Sequence, residues 1–448
     1  MTEALSIAAA AREAPESIGL RTDHRAYTFA ELAQLAAQRA AAEASPQPAV
    51  LDGSSSVDTV VALYALLKQR RPVALLHPKL TEPEREAALR AIARGAKSLP
   101  ADAAVIVLTS GTTGEPRAAV LTRAALAASA AASAANLGWH DDDCWLLAMP
   151  IARVGGLSII TRSLIARRAV ALAPRFDAAQ FPALVERHRV TLASLVPAML
   201  DRVLDANPDW QPPPFLRAVL VGGDAAPPRL LERAAQRRLP IVITYGCTET
   251  CSQVAATPYE RRFDAGRCGA GRPLPGAELR IVDGHIHVRG PMRMAGYAGE
   301  PPLDPAAWFD TGDLGEIDCD GCLHVHGRAS ERIVTGGENV DPAEVERVLA
   351  SCPGVIAAAV FGVPDETWGQ IVAVALVVQG DGPDERQLTA FVAARLAPHK
   401  RPRRFCIVPA LPLTPAGKLD RAALPPLAQR LRPLGQLRAT GASAANEG

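Results

Sequence analysis

The stretch TSGTTGEPR, residues 109–117, combines the residue types that bind phosphate groups. Glycines let backbone N–H groups converge on an anion, and Ser and Thr hydroxyls add further donors. Arg117 adds a fixed positive charge. The Gly-Lys-Ser/Thr ending of a P-loop is missing, so that kind of phosphate site is excluded. A turn without function stays the alternative, because Gly- and Thr-rich turns are common.

A second group of candidate residues follows the apolar run 241–244. Tyr245 could stack on a flat ring, and Glu249 offers a hard carboxylate suited to Mg²⁺. Ligands of open α/β sheets bind where the strands end, so this position favours a nucleotide. The alternative is an ordinary helix start, with Thr248 as the cap and Glu249 stabilising the helix dipole.

Three later segments carry weaker signals. Asp313, in Thr-Gly-Asp, could accept hydrogen bonds from the hydroxyl groups of a ribose. Residues 336–339, Gly-Gly-Glu-Asn, precede a predicted helix, and Lys418 lies on a loop rich in Pro and Gly. Taken singly, each is explained equally well by a turn or a solvated side chain.

Composition limits the class of protein. The chain has 448 residues, enough for two to four domains, with 48% hydrophobic and 21% charged residues, as in soluble globular proteins. A net charge of +1 favours neither nucleic acid nor an anionic membrane as a partner. No run of about 18 apolar residues and no secretory signal is found, so a cytoplasmic protein is expected. In the C-x-x-C of Cys319 and Cys322, a hairpin turn is favoured over a metal or redox site.

The pattern of elements predicts an α/β protein. Between about residues 27 and 325, apolar strands alternate with amphipathic helices, which predicts a large domain of doubly wound, mostly parallel sheets. Thr28 and Glu31 predict a capping box at one helix start. After residue 266, alternating apolar and polar residues predict a small antiparallel β subdomain. The predicted domains are residues 1–327, a smaller mobile α+β domain at 328–424, and a flexible tail at 425–448.

The order of these motifs resembles the adenylate-forming ligase superfamily, which includes acyl-CoA synthetases, peptide-synthetase adenylation domains and luciferases. The similar segments are TSGTTGEP, GGD, YGCTE, TGD, GR, GGEN and PLTPAGK, spread from about residue 27 to 421. The resemblance implies an AMP-forming acid–thiol ligase that uses ATP, Mg²⁺ and coenzyme A. The partners would be a small carboxylic acid and CoA, without nucleic acid or membrane insertion, and a homodimer is left open.

The resemblance also implies roles for individual residues. Glu249 would bind Mg²⁺ and act in catalysis with Thr248, Arg117 and Lys418, the last bridging the acid and the α-phosphate. The expected ATP-binding residues are Thr109, Ser110, Gly111, Thr112, Thr113, Gly114, Gly223, Asp224, Ala225, Tyr245, Gly246, Asp313 and Arg328. The smaller domain would swing about a hinge near Ala329 and bring the CoA-binding residues Gly336, Gly337 and Glu338 to the thiol tunnel. This chain departs from the family at two places, with Arg117-Ala118 where the family usually has Lys-Gly and Ala329 where the hinge is usually Asp or Lys.

The expected acid is aromatic, such as o-succinylbenzoate. Residues 245–253 and 149–158 resemble the matching segments of the ligases that act on this acid in menaquinone synthesis. Arg153 replaces a family His and is expected to pair with a second carboxylate, although a surface position is equally compatible. The expected acyl pocket is Arg153, Gly155, Ser194, Val196, Ser252 and Gln253. The alternatives are another aryl- or medium-chain acyl-CoA synthetase, an adenylation enzyme that loads a carrier protein, and a binding protein without catalysis.

Overall fold

The computed structural model describes residues 3–40, 48–110, 116–414 and 419–434. The chain divides into two compact units, Met1–Val325 and His326–Gly448. The predicted domain boundary at residues 327 and 328 lies within three residues of this division. In the described part of the chain, no helix has the length and apolarity that a membrane crossing requires.

The first unit is built from alternating helices and strands. Its helices are α1 (Ile7–Glu13), α2 (Phe29–Ala40), α3 (Val57–Lys68), α4 (Glu82–Gly95), α5 (Arg123–Leu137), α6 (Val154–Ala166), α7 (Phe181–His188), α8 (Pro197–Ala206) and α9 (Pro228–Gln236). Its strands are β1 (Ile18–Arg21), β2 (Ala26–Thr28), β3 (Ala49–Asp52), β4 (Val73–Leu76), β5 (Ala103–Ser110), β6 (Pro116–Thr122), β7 (Cys144–Leu147), β8 (Ala169–Leu172), β9 (Leu192–Leu195), β10 (Ala218–Gly222), β11 (Ile241–Cys247), β12 (Ser252–Ala256), β13 (Arg272–Pro273), β14 (Glu278–Val282), β15 (His285–Arg289), β16 (Gly296–Tyr297), β17 (Phe309–Ile317) and β18 (Leu323–Arg328), the last of which runs into the second unit.

These strands form three sheets. The first has the order β13-β12-β11-β10-β9-β7-β8-β1-β2 and is parallel from β11 through β1. The second has the order β16-β6-β5-β4-β3, and the third is the antiparallel β14-β15-β17-β18. Apolar side chains fill both faces of the first two sheets, as strands buried under helices require. The predicted α/β class with an antiparallel subdomain is confirmed.

Local signals in the sequence account for several element ends. The Thr28 hydroxyl accepts from the Glu31 amide at 3.2 Å, and the Glu31 carboxylate accepts from the Thr28 amide at 2.9 Å, so α2 begins with the predicted capping box. Asp283 and Gly284 have φ of 51° and 80°, the values a two-residue hairpin turn needs between β14 and β15.

The second unit is a smaller α+β structure. Its elements are β19 (Ile333–Thr335), β20 (Glu338–Val340), α10 (Pro342–Ala350), β21 (Val355–Asp365), β22 (Gly369–Val378), α11 (Glu385–Ala393), β23 (Arg404–Ile407) and β24 (Arg432–Pro433). β24 pairs with β23, and Leu434 is buried in this unit's core. Residues 425–434, assigned to a flexible tail from the sequence, are therefore part of the folded unit, because their leucines pack on its sheet. Residues 435–448 of that predicted tail lie outside the described residues.

Cys322 is part of a disulfide that the sequence did not predict. The predicted hairpin turn is present between β17 and β18, but Cys322 also forms a disulfide with Cys268. The Ala270 amide donates to the Leu323 carbonyl at 2.7 Å, and the Leu323 amide donates to the Gly271 carbonyl at 2.8 Å. These backbone bonds bring the two cysteines together, and no spacing rule along the chain indicates such a pair.

Candidate active site

The carboxyl ends of β10 and β11 carry the residues predicted to border the adenine. Gly222 lies opposite Thr244 in the parallel ladder, and a Cβ at Gly222 would lie 2.2 Å from the Thr244 hydroxyl. Gly223 has φ of 83°, a conformation that glycine adopts at little cost. The turn that leads to Asp224 and Ala225 therefore starts at the end of β10, and Tyr245 lies on the neighbouring strand β11.

Tyr245 and Asp313 are joined although 68 residues separate them. The Tyr245 hydroxyl donates to Asp313 Oδ2 at 2.7 Å and lies 3.1 Å from Thr311 Oγ1. Burial raises the pKa of Tyr245 and the Asp313 carboxylate raises it further, so the hydroxyl stays a donor at neutral pH. Both residues lie inside strands, β11 and β17, whereas the sequence placed Tyr245 after its strand and left a turn open for Asp313. The extra strand residues in β11 come from pairing with β12.

Glu249 lies in a short 3₁₀ turn, Thr248–Thr250, directly after β11. The Tyr297 hydroxyl donates to Glu249 Oε1 at 2.7 Å, and the Met294 amide donates to the Glu249 carbonyl at 2.7 Å. Burial raises the pKa of Tyr297, and the negative charge of Glu249 raises it further. Tyr297 was not identified from the sequence, where an isolated Tyr-x-x-Glu carries no specific signal.

Cys247 lies near both Glu249 and Asp313. Burial raises the pKa of its thiol, and the negative charges of Glu249 and Asp313 both raise it further. One thiol therefore lies within electrostatic reach of both acids. The predicted metal and ribose residues belong to one continuous region of the first unit.

Arg117 lies at the base of the predicted phosphate loop. In the antiparallel β5–β6 pair, Thr109 is opposite Arg117 and Ser110 is opposite Pro116. Arg117 donates through Nε (3.3 Å) and Nη2 (2.7 Å and 2.9 Å) to Glu300, and its Cζ lies 3.4 Å from the centre of the Tyr297 ring. The loop tip, with Gly111, Thr112, Thr113 and Gly114, lies outside the described residues, as does the side chain of Ser110.

Close backbone packing surrounds the residues expected at the acyl pocket. Gly246 pairs with Gln253, and a Cβ at Gly246 would lie 1.9 Å from the Ser252 carbonyl oxygen, so only glycine fits. Gln253 is buried and donates through Nε2 to Ser133 Oγ at 2.9 Å. On β9, Ser194 accepts a hydrogen bond of 3.0 Å from Trp145 Nε1. Val196 occupies the N-cap position of α8 without a capping hydrogen bond from its side chain.

The segment before α6 lies between the two large sheets. The Ala152 amide donates to the Gly53 carbonyl at 3.3 Å, and the Ser55 hydroxyl donates to the Met149 carbonyl at 2.9 Å. Arg153 is exposed at the start of α6, two residues before Gly155. Burial lowers the pKa of His77, and the positive charge of Arg153 lowers it further, which places Arg153 near the carboxyl end of β4.

Arg162 was missed in the sequence, although it is the single charged residue of the apolar helix α6. It is 3% exposed, and its Nη2 donates to Ser129 Oγ at 3.1 Å. Ser129 in turn donates to the Cys251 carbonyl at 2.8 Å, next to Ser252. Within the described residues, Arg162 has no carboxylate partner and its Nε has no hydrogen-bond partner. Burial lowers its pKa to about 10, so the side chain stays charged at neutral pH.

The second unit carries the remaining predicted residues. Gly336 and Gly337 form the turn between β19 and β20 with φ of 59° and 83°, ahead of Glu338. The Gly336 amide donates to the Trp368 carbonyl at 2.8 Å. Arg328 ends β18, and Ala329 begins a 3₁₀ turn. Lys418 lies outside the described residues, next to Leu419, which bridges Leu413.

Comparisons with known proteins agree with this architecture. The family model described as AMP-binding enzyme matches residues 93–298, and the model of the AMP-binding enzyme C-terminal domain matches residues 344–418. The 2-succinylbenzoate–CoA ligase of Bacillus licheniformis is 42% identical over 339 residues, which cover 72% of this chain and 70% of the relative. The chain belongs to the family of AMP-binding enzymes. The relative of the same name from Bacillus mycoides is 37% identical over 345 residues, covering 74% of this chain and 71% of the relative.

Solved structures extend the similarity of this AMP-binding enzyme to most of its length. The o-succinylbenzoate CoA synthetase (MenE) of Bacillus subtilis in complex with the acyl-adenylate intermediate OSB-AMP superposes with a TM-score of 0.82 at 31% identity. The match covers 93% of this chain and 97% of that one. The same protein in complex with ATP and magnesium ion also gives 0.82 at 31% identity, covering 93% and 98%. The predicted ATP-dependent, AMP-forming acid–CoA ligase is confirmed at the level of reaction class and cofactors.

Proposed function

We propose that this AMP-binding enzyme is a 2-succinylbenzoate–CoA ligase of menaquinone synthesis, which binds ATP and a dicarboxylic acid. The names of its relatives and the ligands of the similar structures support the proposal. The observation that carries the choice of acid is the buried charge of Arg162.

An arginine buried without a carboxylate costs free energy unless another anion pairs with it. Arg162 contacts Ser129, which contacts the backbone of Cys251, adjacent to the proposed pocket residue Ser252. Gly155 lies seven residues earlier in α6, on the same helix face. An acid with a second carboxylate supplies the missing anion, whereas a simple alkyl or benzoic acid does not. Arg153 stays a prediction as a further contact to the acid.

The first step forms an acyl-adenylate. An oxygen of the acid's carboxylate attacks the α-phosphorus of ATP, and the bond from that phosphorus to the β-phosphate oxygen breaks, releasing pyrophosphate. Arg117, Thr248 and Lys418 offset the repulsion between the anions, with the loop Thr109, Ser110, Gly111, Thr112, Thr113 and Gly114 holding the terminal phosphates. The adenine is bordered by Tyr245, Gly246 and the segment Gly223, Asp224 and Ala225. Asp313 binds the ribose hydroxyls, and Arg328 stays a predicted ATP-binding residue.

Glu249 fits the Mg²⁺ that this reaction class uses. One carboxylate is enough for Mg²⁺ bound mainly by phosphates and water, and Tyr297 leaves Glu249 Oε2 outside its hydrogen bond. When bound, the ion neutralises charge on the phosphate oxygens. Tyr297 orients the carboxylate that would hold it.

The second step transfers the acyl group. The thiol of CoA, losing its proton, attacks the acyl carbon, and the carbon–oxygen bond to AMP breaks. Gly336, Gly337 and Glu338 of the second unit contact CoA in this proposal, after a rotation near Ala329 that withdraws Lys418. The cytoplasm, where ATP and CoA are abundant, is the proposed compartment, and sedimentation distinguishes a monomer from a homodimer.

The experiment measures pyrophosphate release with 2-succinylbenzoate, benzoate and octanoate, first without and then with CoA. We expect pyrophosphate to be released only with 2-succinylbenzoate, and the thioester product to form only when CoA is present. Turnover of benzoate or octanoate with none of 2-succinylbenzoate would overturn the choice of acid. Transfer to a phosphopantetheinylated carrier protein but not to CoA would indicate an adenylation enzyme instead.

A further inference from the structure

Two residues outside the predicted site contact the groups that bind phosphate and Mg²⁺. We infer that Tyr297 and Glu300 are positioning residues that hold Arg117 and Glu249 in place for ATP, an inference that rests on the proposed function. Tyr297 contacts both of these side chains, and Glu300 contacts Arg117 alone.

Glu300 fixes one edge of the Arg117 guanidinium. The ion pair uses Nε and Nη2 of Arg117 and both carboxylate oxygens of Glu300, so it has the geometry of a two-point fork. Nη1 takes no part in the pair. The two side chains are 43% and 48% exposed, so a phosphate can reach the guanidinium while the pair is intact.

Tyr297 holds two groups with different parts of its ring. Its face lies 3.4 Å below the Arg117 Cζ, a cation–π contact, and its hydroxyl donates to Glu249. The phenol is therefore a rigid spacer between the proposed phosphate-binding cation and the proposed metal-binding carboxylate.

The backbone around Tyr297 is itself fixed to the same elements. Strand β16 pairs Tyr297 with Ala119, two residues from Arg117, and the Ala298 amide donates to the Ala118 carbonyl at 2.8 Å. Three residues before Tyr297, the Met294 amide binds the Glu249 carbonyl. The segment 294–300 thus contacts both functional groups through main chain and side chain.

This arrangement uses the planar shape of the Arg117 side chain. A planar guanidinium can stack on a ring and form a two-point pair at the same time, whereas an ammonium group cannot do both. Arg117 and Glu300 therefore form a matched pair, and replacing one without the other breaks the match.

The test separates the two contacts by what each should change. A non-hydrolysable ATP analogue is titrated by calorimetry into the full-length protein, first with EDTA and then at a series of Mg²⁺ concentrations. Tyr297→Phe keeps the stacked ring but removes the hydroxyl, so we expect unchanged binding in EDTA and a Mg²⁺ requirement raised about tenfold. Glu300→Gln should weaken binding in EDTA about threefold and leave the Mg²⁺ requirement unchanged. Tyr297→Leu, which removes both contacts, should change both.

Tyr259→Phe is the matched control, because Tyr259 also lies beside arginines but outside this site. The inference would be overturned if Tyr297→Phe bound the analogue with the same Mg²⁺ requirement as the wild type. It would also be overturned if Tyr259→Phe changed this requirement as much as Tyr297→Phe. Because the readout needs no acid, wild-type protein that binds the analogue but does not turn over 2-succinylbenzoate would contradict the proposed function alone.

Discussion

Two arginine–carboxylate pairs of this protein stand beside tyrosine rings but differ in burial. Arg217 and Asp143 are 8% and 0% exposed, whereas Arg117 and Glu300 are 43% and 48% exposed. Arg217 also donates to the carbonyls of Leu137 (2.9 Å) and Gly138 (2.7 Å), so its Nε, Nη1 and Nη2 all have acceptors within the protein. The exposed pair uses only one edge of its arginine.

Burial determines what each pair is able to do. A buried pair must satisfy its own polar atoms, because an unsatisfied charge costs several kcal/mol, and it is then closed to ligands. A half-exposed pair contributes little to stability but keeps donors for an incoming anion. Arg162 is a third case, buried like Arg217 but without a carboxylate among the described residues.

The largest effect is expected from breaking the buried pair. Asp143→Asn leaves Arg217 buried without its counter-charge, so the free energy of unfolding should fall by about 3–5 kcal/mol, measured by urea unfolding. Asp141→Asn is the control, because Asp141 is fully exposed in its pair with Arg168, and it should change little. Equal, small losses in both variants would mean that burial does not distinguish the pairs.

Replacing the third arginine should separate activity from stability. Arg162→Met removes an uncompensated buried charge, so folding stability should stay equal or rise. The kcat/KM for 2-succinylbenzoate should fall about 100-fold, through the KM for the acid and not the KM for ATP. Arg162→Lys keeps the charge and should retain part of the activity. A loss that appears equally in the KM for ATP would exclude Arg162 as an acid-binding residue.

Acid should weaken the buried pair in a defined direction. Burial raises the pKa of Asp143, but hydrogen bonds from Arg217, the His140 amide and Thr191 outweigh it and hold the pKa below its usual range. The pair therefore contributes stability above the ordinary pKa of an Asp side chain, and this stability is lost as the pH falls through the lower folded-state pKa. Unfolding of wild type and Asp143→Asn, measured from pH 6 downwards, should converge at low pH. A constant difference at every pH would contradict the assignment.

The smallest effect is expected at the exposed pair. Glu300→Gln should change the free energy of unfolding by less than about 1 kcal/mol in thermal or urea unfolding. Added salt should reduce even this difference, because exposed charges are screened. A loss as large as that of Asp143→Asn would show that the pair is structural.

The sequence predicted those parts of the fold that local chemistry determines. The capping box of Thr28 and Glu31, the Asp283-Gly284 turn and the apolar strands all follow from neighbouring residues. Motif order then placed Tyr245, Glu249 and Asp313 in one region, and the hydrogen bond between Tyr245 and Asp313 is consistent with it.

Contacts between residues far apart in the chain could not be predicted from neighbouring residues. Tyr297 and Glu300 become informative only when β16 pairs with β6 and brings them to Arg117. Arg162 was visible as a charge in an apolar helix, but the absence of a carboxylate beside it among the described residues is a property of the packed interior. Tyr245 was placed after its strand because its pairing with β12 depends on residues ten positions later.

The bond between Cys268 and Cys322 closes a covalent ring with a sequence separation of 54. Tyr297, Glu300 and Asp313 lie on this ring, whereas Arg117, Glu249 and Tyr245, which they contact, lie outside it. A single proteolytic nick inside the ring would therefore leave one covalent molecule until a thiol reductant is added. The gel mobility of nicked protein with and without reductant thus reports directly whether the two sulfurs are joined.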